Sequence, residues 1–303
     1  MVIAEATAVE PRGRISPHDA GLWNDHQAEA WAPAARFVRS QGAVAAVQLA
    51  HAGRKASTAA PWDGGAPVPA DQGGWTPVAP SPLPFGKDYP VPQELSAAEV
   101  AALPGLFAAA AGRALEAGFE AVELHFAHGY LVHQFLSPLT NRRGDAYGGG
   151  FDGRTRLARE ITAAVRKAWP ERLPLLARVS ATDWVEGGWD LSQTVELARA
   201  LKGAGVDFLD CSSGGIVPDA KVPAGPGFQV PFAQAVRREA GLPTGAVGLI
   251  TEPAQAAEIV DSGKADAVLL GRQFLRDPRW PQRAAEALGV EGPWPKQYLR
   301  GRR

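Results

Sequence analysis

The chain has 303 residues, with 31 Lys and Arg against 32 Asp and Glu for a formal charge of −1, so it sets up no field to draw a nucleic acid or an anionic membrane. Cys211 is the only cysteine, which excludes an internal disulfide framework, a cysteine zinc site and an iron-sulfur cluster and suits a reducing cytoplasm. No apolar run approaches the roughly 20 residues that span a bilayer, and Glu5 interrupts the apolar opening MVIAEATAV before a secretory h-region can form.

In chain order, apolar runs of strand length occupy 1–9 (MVIAEATAV), 44–51 (VAAVQLAH), 121–127 (AVELHFA), 173–180 (LPLLARVS), 207–213 (DFLDCSS), 245–250 (GAVGLI) and 267–272 (AVLLGR). Runs so uniformly apolar suit parallel strands buried on both faces. Amphipathic patterns between them predict helices over 26–41, 96–117, 153–168, 191–204, 231–240, 253–262 and 279–288. The second opens on the capping-box pattern Ser96-Ala97-Ala98-Glu99 and runs into Gly118. This alternation predicts an α/β fold, a single domain over 1–303 of the TIM (β/α)8 barrel type. A closed barrel needs eight strands and seven βα units are visible, as though the chain started one unit late. Residues 54–95, rich in Pro and Gly, read as a long excursion on the barrel rim.

In such barrels the chemistry sits where strands run into the following loops. His125 lies in line with the inward positions of its strand, whereas three residues along an ideal strand would send His128 to the other side. The chain must therefore turn at 127–129 for both rings to face one pocket, and Gly129 makes that turn feasible. Two imidazoles there are suited to donating hydrogen bonds to an oxygen on which negative charge develops, and Tyr130 to delivering a proton. The same spacing is open to histidines that satisfy backbone groups, or to a metal site lacking its third ligand.

Gln48 ends an otherwise apolar run and is suited to reading the edge of a heteroaromatic ring, or to satisfying backbone. Arg178 projects a guanidinium into the barrel mouth and needs an anionic partner: a reduced flavin ring, or a structural carboxylate such as Glu5. The last two strands end in GAVG, closing on Gly248, and in Gly271-Arg272, where glycines let backbone N–H groups approach a phosphate. Together these features point to FMN lying across the mouth, its ring toward Gln48 and Arg178 and its phosphate toward the last two strands.

The segments EATAVEPRGRIS, QLAHAGRK, HFAHGYLVHQFLSPLTNRRGDAYGG, ARVSATD, DCSSGGIVP, TGAVGLIT, LLGRQFLRDP and QYLRGRR resemble, in order, those of the Old Yellow Enzyme family of FMN-dependent ene-reductases, and more closely its thermophilic-like and xenobiotic-reductase branch. The resemblance covers essentially the whole chain. It implies that Ala6, Gln48, Arg178, Gly271 and Arg272 contact FMN, that His125 and His128 hold the substrate's activating oxygen, and that Tyr130 is the proton donor or its close neighbour. Lys55 and Arg276 match basic positions near the flavin face and phosphate end. Arg300 matches an arginine that reaches into a partner's active site, so a homodimer or dimer-based assembly is implied. The implied reaction moves hydride from NADPH or NADH, through FMN, to an alkene conjugated to a carbonyl or nitro group.

The chain departs from the family pattern at three places. The family's first strand and helix are not matched; Gly153 in FDGRTR stands where the family has Asn, so a local hydrogen-bond network is expected to be missing; and Arg302 and Arg303 follow Gly301 where the branch often has an aromatic residue. Trp62, Trp75 and Trp184 are candidates for narrowing the pocket. Two other readings stay open: a flavin-free degenerate barrel acting as a binding protein or partner subunit, and a metal-dependent hydrolase using His125 and His128.

Overall fold

The structure is a computed structural model that describes residues 1–292 and 294–301; Arg302 and Arg303, the expected departure at the tail, lie outside the described residues. The strands are β1 Val2–Ala8, β2 Ala45–Ala50, β3 Val78–Ala79, β4 Gln93–Glu94, β5 Ala121–Phe126, β6 Leu175–Ser180, β7 Phe208–Ser212, β8 Thr244–Val247 and β9 Ala267–Leu269. Seven of them form one sheet in the order β1-β2-β5-β6-β7-β8-β9, every pair parallel. All seven predicted strands are therefore present. β1 and β9 each have a single neighbour, so the sheet curls as a TIM barrel does but is not closed by the described residues.

Why the strands look apolar throughout follows from their two faces. Outward side chains such as Val47, Leu49, Val122, Leu124, Ala177, Val179 and Leu209 join the main core with the helices. Inward, Ala46, Ala121 and Leu176 form a second cluster with Ile3 and Phe208 packed on it. Five strands thus contribute to one small interior plug, which a flat sheet could not do.

The helices are α1 Asp25–Ser40, α2 Ala97–Ala117, α3 Leu131–Leu136, α4 Phe151–Ala168, α5 Leu191–Gly203, α6 Val230–Ala240, α7 Pro253–Asp261, α8 Arg272–Arg276 and α9 Trp280–Ala287. The Ser96 side chain and Glu99 form the predicted capping box, and Gly118 ends α2 at φ +90°. The sequence reading overlooked one property of this helix: its 21 residues are apolar enough to cross a membrane by length and composition. In the fold that surface faces the barrel, burying Val100, Leu103, Phe107, Ala110 and Ala114.

The rim excursion is better organised than its composition suggests. Val78 and Ala79 pair with Gln93 and Glu94, and two buried arginines hold the excursion to the barrel. Arg54 donates to the carbonyls of Leu83, Pro84 and Ile216 at 3.1, 3.1 and 2.5 Å, and Arg143 donates to those of Pro80 and Leu95 at 3.2 and 2.5 Å. At Gly153 a Cβ would lie 2.0 Å from the Gly148 carbonyl oxygen. The loop before α4 thus occupies the space that a side chain would need.

Candidate active site

Reading each strand two residues at a time gives three inward tiers. The lowest is the apolar plug, with Ala46, Ala121, Leu176 and Phe208 on β2, β5, β6 and β7. Two residues further on, the same strands carry Gln48, Glu123, Arg178 and Asp210. Two more bring Ala50, His125, Ser180 and Ser212 to the mouth. Register keeps the tiers level between β2 and β5, where Gln48 pairs with Glu123, and between β6 and β7, where Arg178 pairs with Asp210; between β5 and β6 it steps by two residues, so that Arg178 pairs with His125.

In the middle tier, Gln48 Nε2 donates to Glu123 Oε2. Arg178 Nε lies 2.9 Å from Asp210 Oδ2, whose side chain is fully buried. The carboxylate that balances Arg178 is therefore Asp210 and not Glu5, which stands exposed on β1 at a register shift between Ala4 and Ala6. No hydrogen bond reaches the two terminal nitrogens of Arg178 among the described residues, although its Nε is sealed from solvent. Burial raises the Asp210 carboxyl to about 6 against the pull of Arg178.

The turn needed to bring both histidines to one pocket is present. His128 has φ +59° and Gly129 φ +72°, a conformation that costs a non-glycine residue energy and persists only where its surroundings hold it. Here they do: the His128 N–H donates to Ser180 Oγ at 2.9 Å, and Lys55 Nζ donates to the His128 carbonyl at 2.8 Å. A Cβ on Gly129 would lie 2.0 Å from the Gly215 carbonyl oxygen, and one on Gly215 would lie 2.7 Å from the His128 backbone. Both glycines are required by this backbone-to-backbone packing.

The ring centroids of His125 and His128 are 5.0 Å apart, and His125 Nε2 lies 3.4 Å from His128 Nδ1. That separation is long for a hydrogen bond and short enough for both nitrogens to reach one oxygen. The Ala127 N–H points at His125 Nδ1 at 3.4 Å. An amide only donates, so neutral His125 carries its proton on Nε2. His128 Nε2 is 2.8 Å from Ser212 Oγ, whose hydroxyl has Gln229 Oε1 as a second, longer acceptor at 3.5 Å; in the tautomer in which the hydroxyl donates to the nearer Nε2, His128 presents Nδ1–H toward the same point. Burial first, then nearby cations including Arg178, hold both imidazoles well below their usual 6.5. They are neutral donors at pH 7.

Tyr130 stands edge-on to His125 at 5.1 Å between ring centroids, with the Lys55 ammonium 5.1 Å from its own ring centre. Burial pushes its hydroxyl up to about 12, and Asp19 adds to the effect. Burial, then the neighbouring Arg54 charge, brings Lys55 down to about 8. Ala6, Ala8, Ala50, Asp19 and Tyr130 line one cavity of about 10 Å³, and Ala6 is the register partner of Gln48. Of the three tryptophans, Trp62 is exposed and Trp75 donates its indole N–H to the Arg12 carbonyl at 2.9 Å. Trp184 packs against Phe232 and lies beside Gly214, in the loop after β7.

At the other side of the mouth, Val247 and Leu269 are register partners, which sets the ends of β8 and β9 side by side. Gly248 has φ +118°, and a Cβ at Gly271 would meet nothing within 4 Å. Arg272 opens α8 and Arg276 closes it; both are exposed and neither has an ion-pair partner among the described residues. Arg300 lies exposed in a single-turn segment Lys296–Gly301. The donor set suits FMN: a guanidinium and an amide with N–H donors to spare at one side, and glycine-ended strands beside cations that lack an ion pair among the described residues at the other. No group of three His, Cys, Asp or Glu side chains suited to a metal occurs among the described residues.

Sequence reasoning missed Glu123, Asp210, Ser180 and Ser212. The signal was present: each stands two residues from a residue already assigned inward, or on the strand next to one. It also passed over His133, whose Nε2 lies 2.9 Å from Asp183 Oδ1, with both side chains fully buried.

The profile of the NADH:flavin oxidoreductase / NADH oxidase family matches residues 1–291. An NADPH dehydrogenase of Geobacillus thermodenitrificans is 45% identical over 301 residues, covering 99% of this chain and 83% of that protein. One from Bacillus subtilis is 43% identical over 301 residues, covering 99% and 84%. Among solved structures, the Old Yellow Enzyme homologue from Zymomonas mobilis matches with a TM-score of 0.79 at 28% identity, over 99% of this chain and 84% of that one. Morphinone reductase in complex with tetrahydroNAD matches with a TM-score of 0.76 at 28% identity, over 98% and 80%.

Proposed function

The chain belongs to the NADH:flavin oxidoreductase / NADH oxidase family, and we propose that within it the protein is an ene-reductase acting on alkenes conjugated to a carbonyl or nitro group. As an NAD(P)H-dependent flavin oxidoreductase it takes FMN as cofactor and a nicotinamide nucleotide as reductant. Bound FMN supplies the two-electron carrier between nicotinamide and alkene. Gln48 and Arg178 would hold its ring edge, Ala6 its face, and Gly248, Gly271, Arg272 and Arg276 its phosphate end.

The observation that carries the reading is the convergence of His125 Nε2 and His128 Nδ1, 3.4 Å apart, directly above the Gln48–Arg178 tier. Both donate to one oxygen of the substrate. As hydride reaches the β-carbon, charge accumulates on that oxygen, and preorganised neutral donors stabilise it without first having to reorient. Tyr130 completes the reaction by giving its hydroxyl proton to the α-carbon. A hydroxyl pushed up to about 12 keeps that proton throughout the neutral range, so the acid is always armed. Lys55 holds the His128 carbonyl and flanks the Tyr130 ring, which fixes the distance between the two functions. We also propose a homodimer in which Arg300 enters the partner's site, supported by its exposed position in Lys296–Gly301 with no ion pair among the described residues.

The test is anaerobic. Protein loaded with FMN is bleached with NADPH, and a cyclic enone is then added. The flavin absorbance is expected to return with formation of the saturated ketone. A bleached flavin that reoxidises with oxygen but not with enone or nitroalkene rules the substrate class out.

A further inference from the structure

The middle tier holds more charge than contact with a cofactor ring requires. Glu123 and Asp210 are 1% and 0% exposed, yet Arg178 is the one cation that the tier supplies to both. Glu123 Oε1 and both Asp210 oxygens have no aligned hydrogen-bond donor among the described residues. A carboxyl kept so deeply buried must return something for its desolvation. For Asp210 the return is the guanidinium at 2.9 Å. For Glu123 it is the amide of Gln48, its register partner on the adjacent strand.

We propose that Glu123 is a positioning residue for FMN that acts through Gln48, fixing which end of the amide faces the cofactor, while the guanidinium of Arg178 is ion-paired to Asp210. The proposal rests on the reading that the barrel mouth binds FMN. Its logic is that of donors and acceptors. The two ends of an amide are nearly isosteric, and a carboxylate oxygen accepts but does not donate. With Glu123 below, Nε2 is committed downward, leaving Oε1 and the second N–H to present one defined pattern to the ring edge. Without Glu123 the amide is free to present either end.

The groups around Glu123 also set its proton. β6 contributes Arg178, β7 contributes Asp210, β5 contributes His125 two residues on, and β2 the uncharged Gln48; Ala6 is the partner of Gln48 on β1. His125 is neutral, so a single positive charge stands beside two carboxyls. Burial, then the Asp210 charge, raises Glu123 to about 7. A protonated Glu123 still accepts through Oε2.

The test combines FMN titration of the apoprotein, read by flavin fluorescence, with infrared spectra of the apoprotein alone. At pH 8, where Glu123 is ionised, Glu123→Leu is expected to weaken FMN binding roughly ten- to hundredfold, the loss of a hydrogen bond to an ionised group. In a Gln48→Leu background the same substitution is expected to change affinity by no more than about twofold, since the two act as one unit. Glu123→Asp, which keeps an acceptor one methylene short, falls between. Equal losses in both backgrounds overturn the proposal, because Glu123 would then act on the barrel at large. The wild-type apoprotein is expected to show a carboxylic-acid carbonyl band that titrates near 7, is missing from Glu123→Leu and moves to higher frequency in Gln48→Leu as its donor is lost; a band at the same frequency with and without Gln48 overturns the contact through which Glu123 acts. Wild-type protein that takes up no FMN refutes the functional reading and this role together, whereas tight FMN with additive losses refutes the role of Glu123 alone.

Discussion

Replacing His125 by alanine asks whether the imidazoles work as neutral hydrogen-bond donors. The side chain is 3% exposed, and its Nε2 is one of the two nitrogens, 3.4 Å apart, that converge on the proposed oxygen position. Its removal leaves Gln48, Arg178 and the Lys55 contact in place. Loss of one such donor costs about 2.7–4 kcal/mol at the transition state, or roughly 10²–10³ in rate. The assay is anaerobic stopped-flow absorbance, with bleaching by NADPH and recolouring by enone measured separately. Bleaching is expected to be unchanged and recolouring to fall by the full factor, because only the second half-reaction develops charge at that point. The pH dependence supplies a second check. Both imidazoles are held well below 6.5 by burial and by nearby cations, so acidifying from pH 8 to 6 should not speed wild-type recolouring by charging them. Equal loss in both half-reactions, or a wild-type rate that climbs through an apparent pKa near 6.5, would refute the reasoning.

Three further perturbations follow. Tyr130→Phe is expected to slow enone reduction while leaving FMN affinity intact, and to leave nitroalkenes, whose product anions are already stable, nearly unaffected; equal slowing of both substrates in steady-state assays argues against a proton donor. Arg178→Met leaves Asp210 without its cation and is expected to cost about 3 kcal/mol at pH 8 in urea unfolding of the apoprotein. Since Asp210 and Glu123 are raised to about 6 and about 7, their contribution is full below their unfolded values of 3.8 and 4.5 and is lost as pH rises through 6 to 7; the deficit should therefore shrink toward pH 5, and a deficit independent of pH would contradict it. Gly129→Ala combines a positive-φ penalty of about 1 kcal/mol with overpacking of about 1–3 kcal/mol, so the unfolding midpoint should drop sharply; an unchanged midpoint would mean that the two loops do not meet as described.

Much of this molecule is legible in its sequence because parallel strands advertise themselves. Val44 to Ala50 or Leu175 to Ser180 is apolar on both faces, and a single polar residue within such a run stands out, as Gln48 and Arg178 did. Glu123 and Asp210 were harder to see. They follow the same two-residue step, but each shares its run with other polar residues, Glu123 with His125 and Asp210 with Asp207 and Ser212, so neither stands out until the register is known. The turn at His128 was inferred from a contradiction between spacing and function, and the structure resolves it with a left-handed residue that no propensity favours. The segment 137–150 shows the opposite limit. Its motif-like residues are largely scaffold: Asn141 donates to the carbonyls of Phe135 and Tyr147 at 2.8 and 2.7 Å, and Arg143 ties down the rim. A motif marks what a fold needs, and only side-chain geometry separates holding from reacting.

The contact between Gly129 and Gly215 has a consequence for how such a pocket can diversify. Two loops that touch main chain to main chain cannot be retuned by exchanging side chains at the joint, so the part of the mouth that handles charge is effectively frozen. Variation has to enter from the opposite wall, where Phe85 of the rim excursion stands 4.5 Å from the Lys55 ammonium and the loop behind it is held at separate points such as Arg54, Arg143 and the Trp75 indole. Chemistry and selectivity are thereby assigned to separate parts of the chain, and the second can drift without disturbing the first.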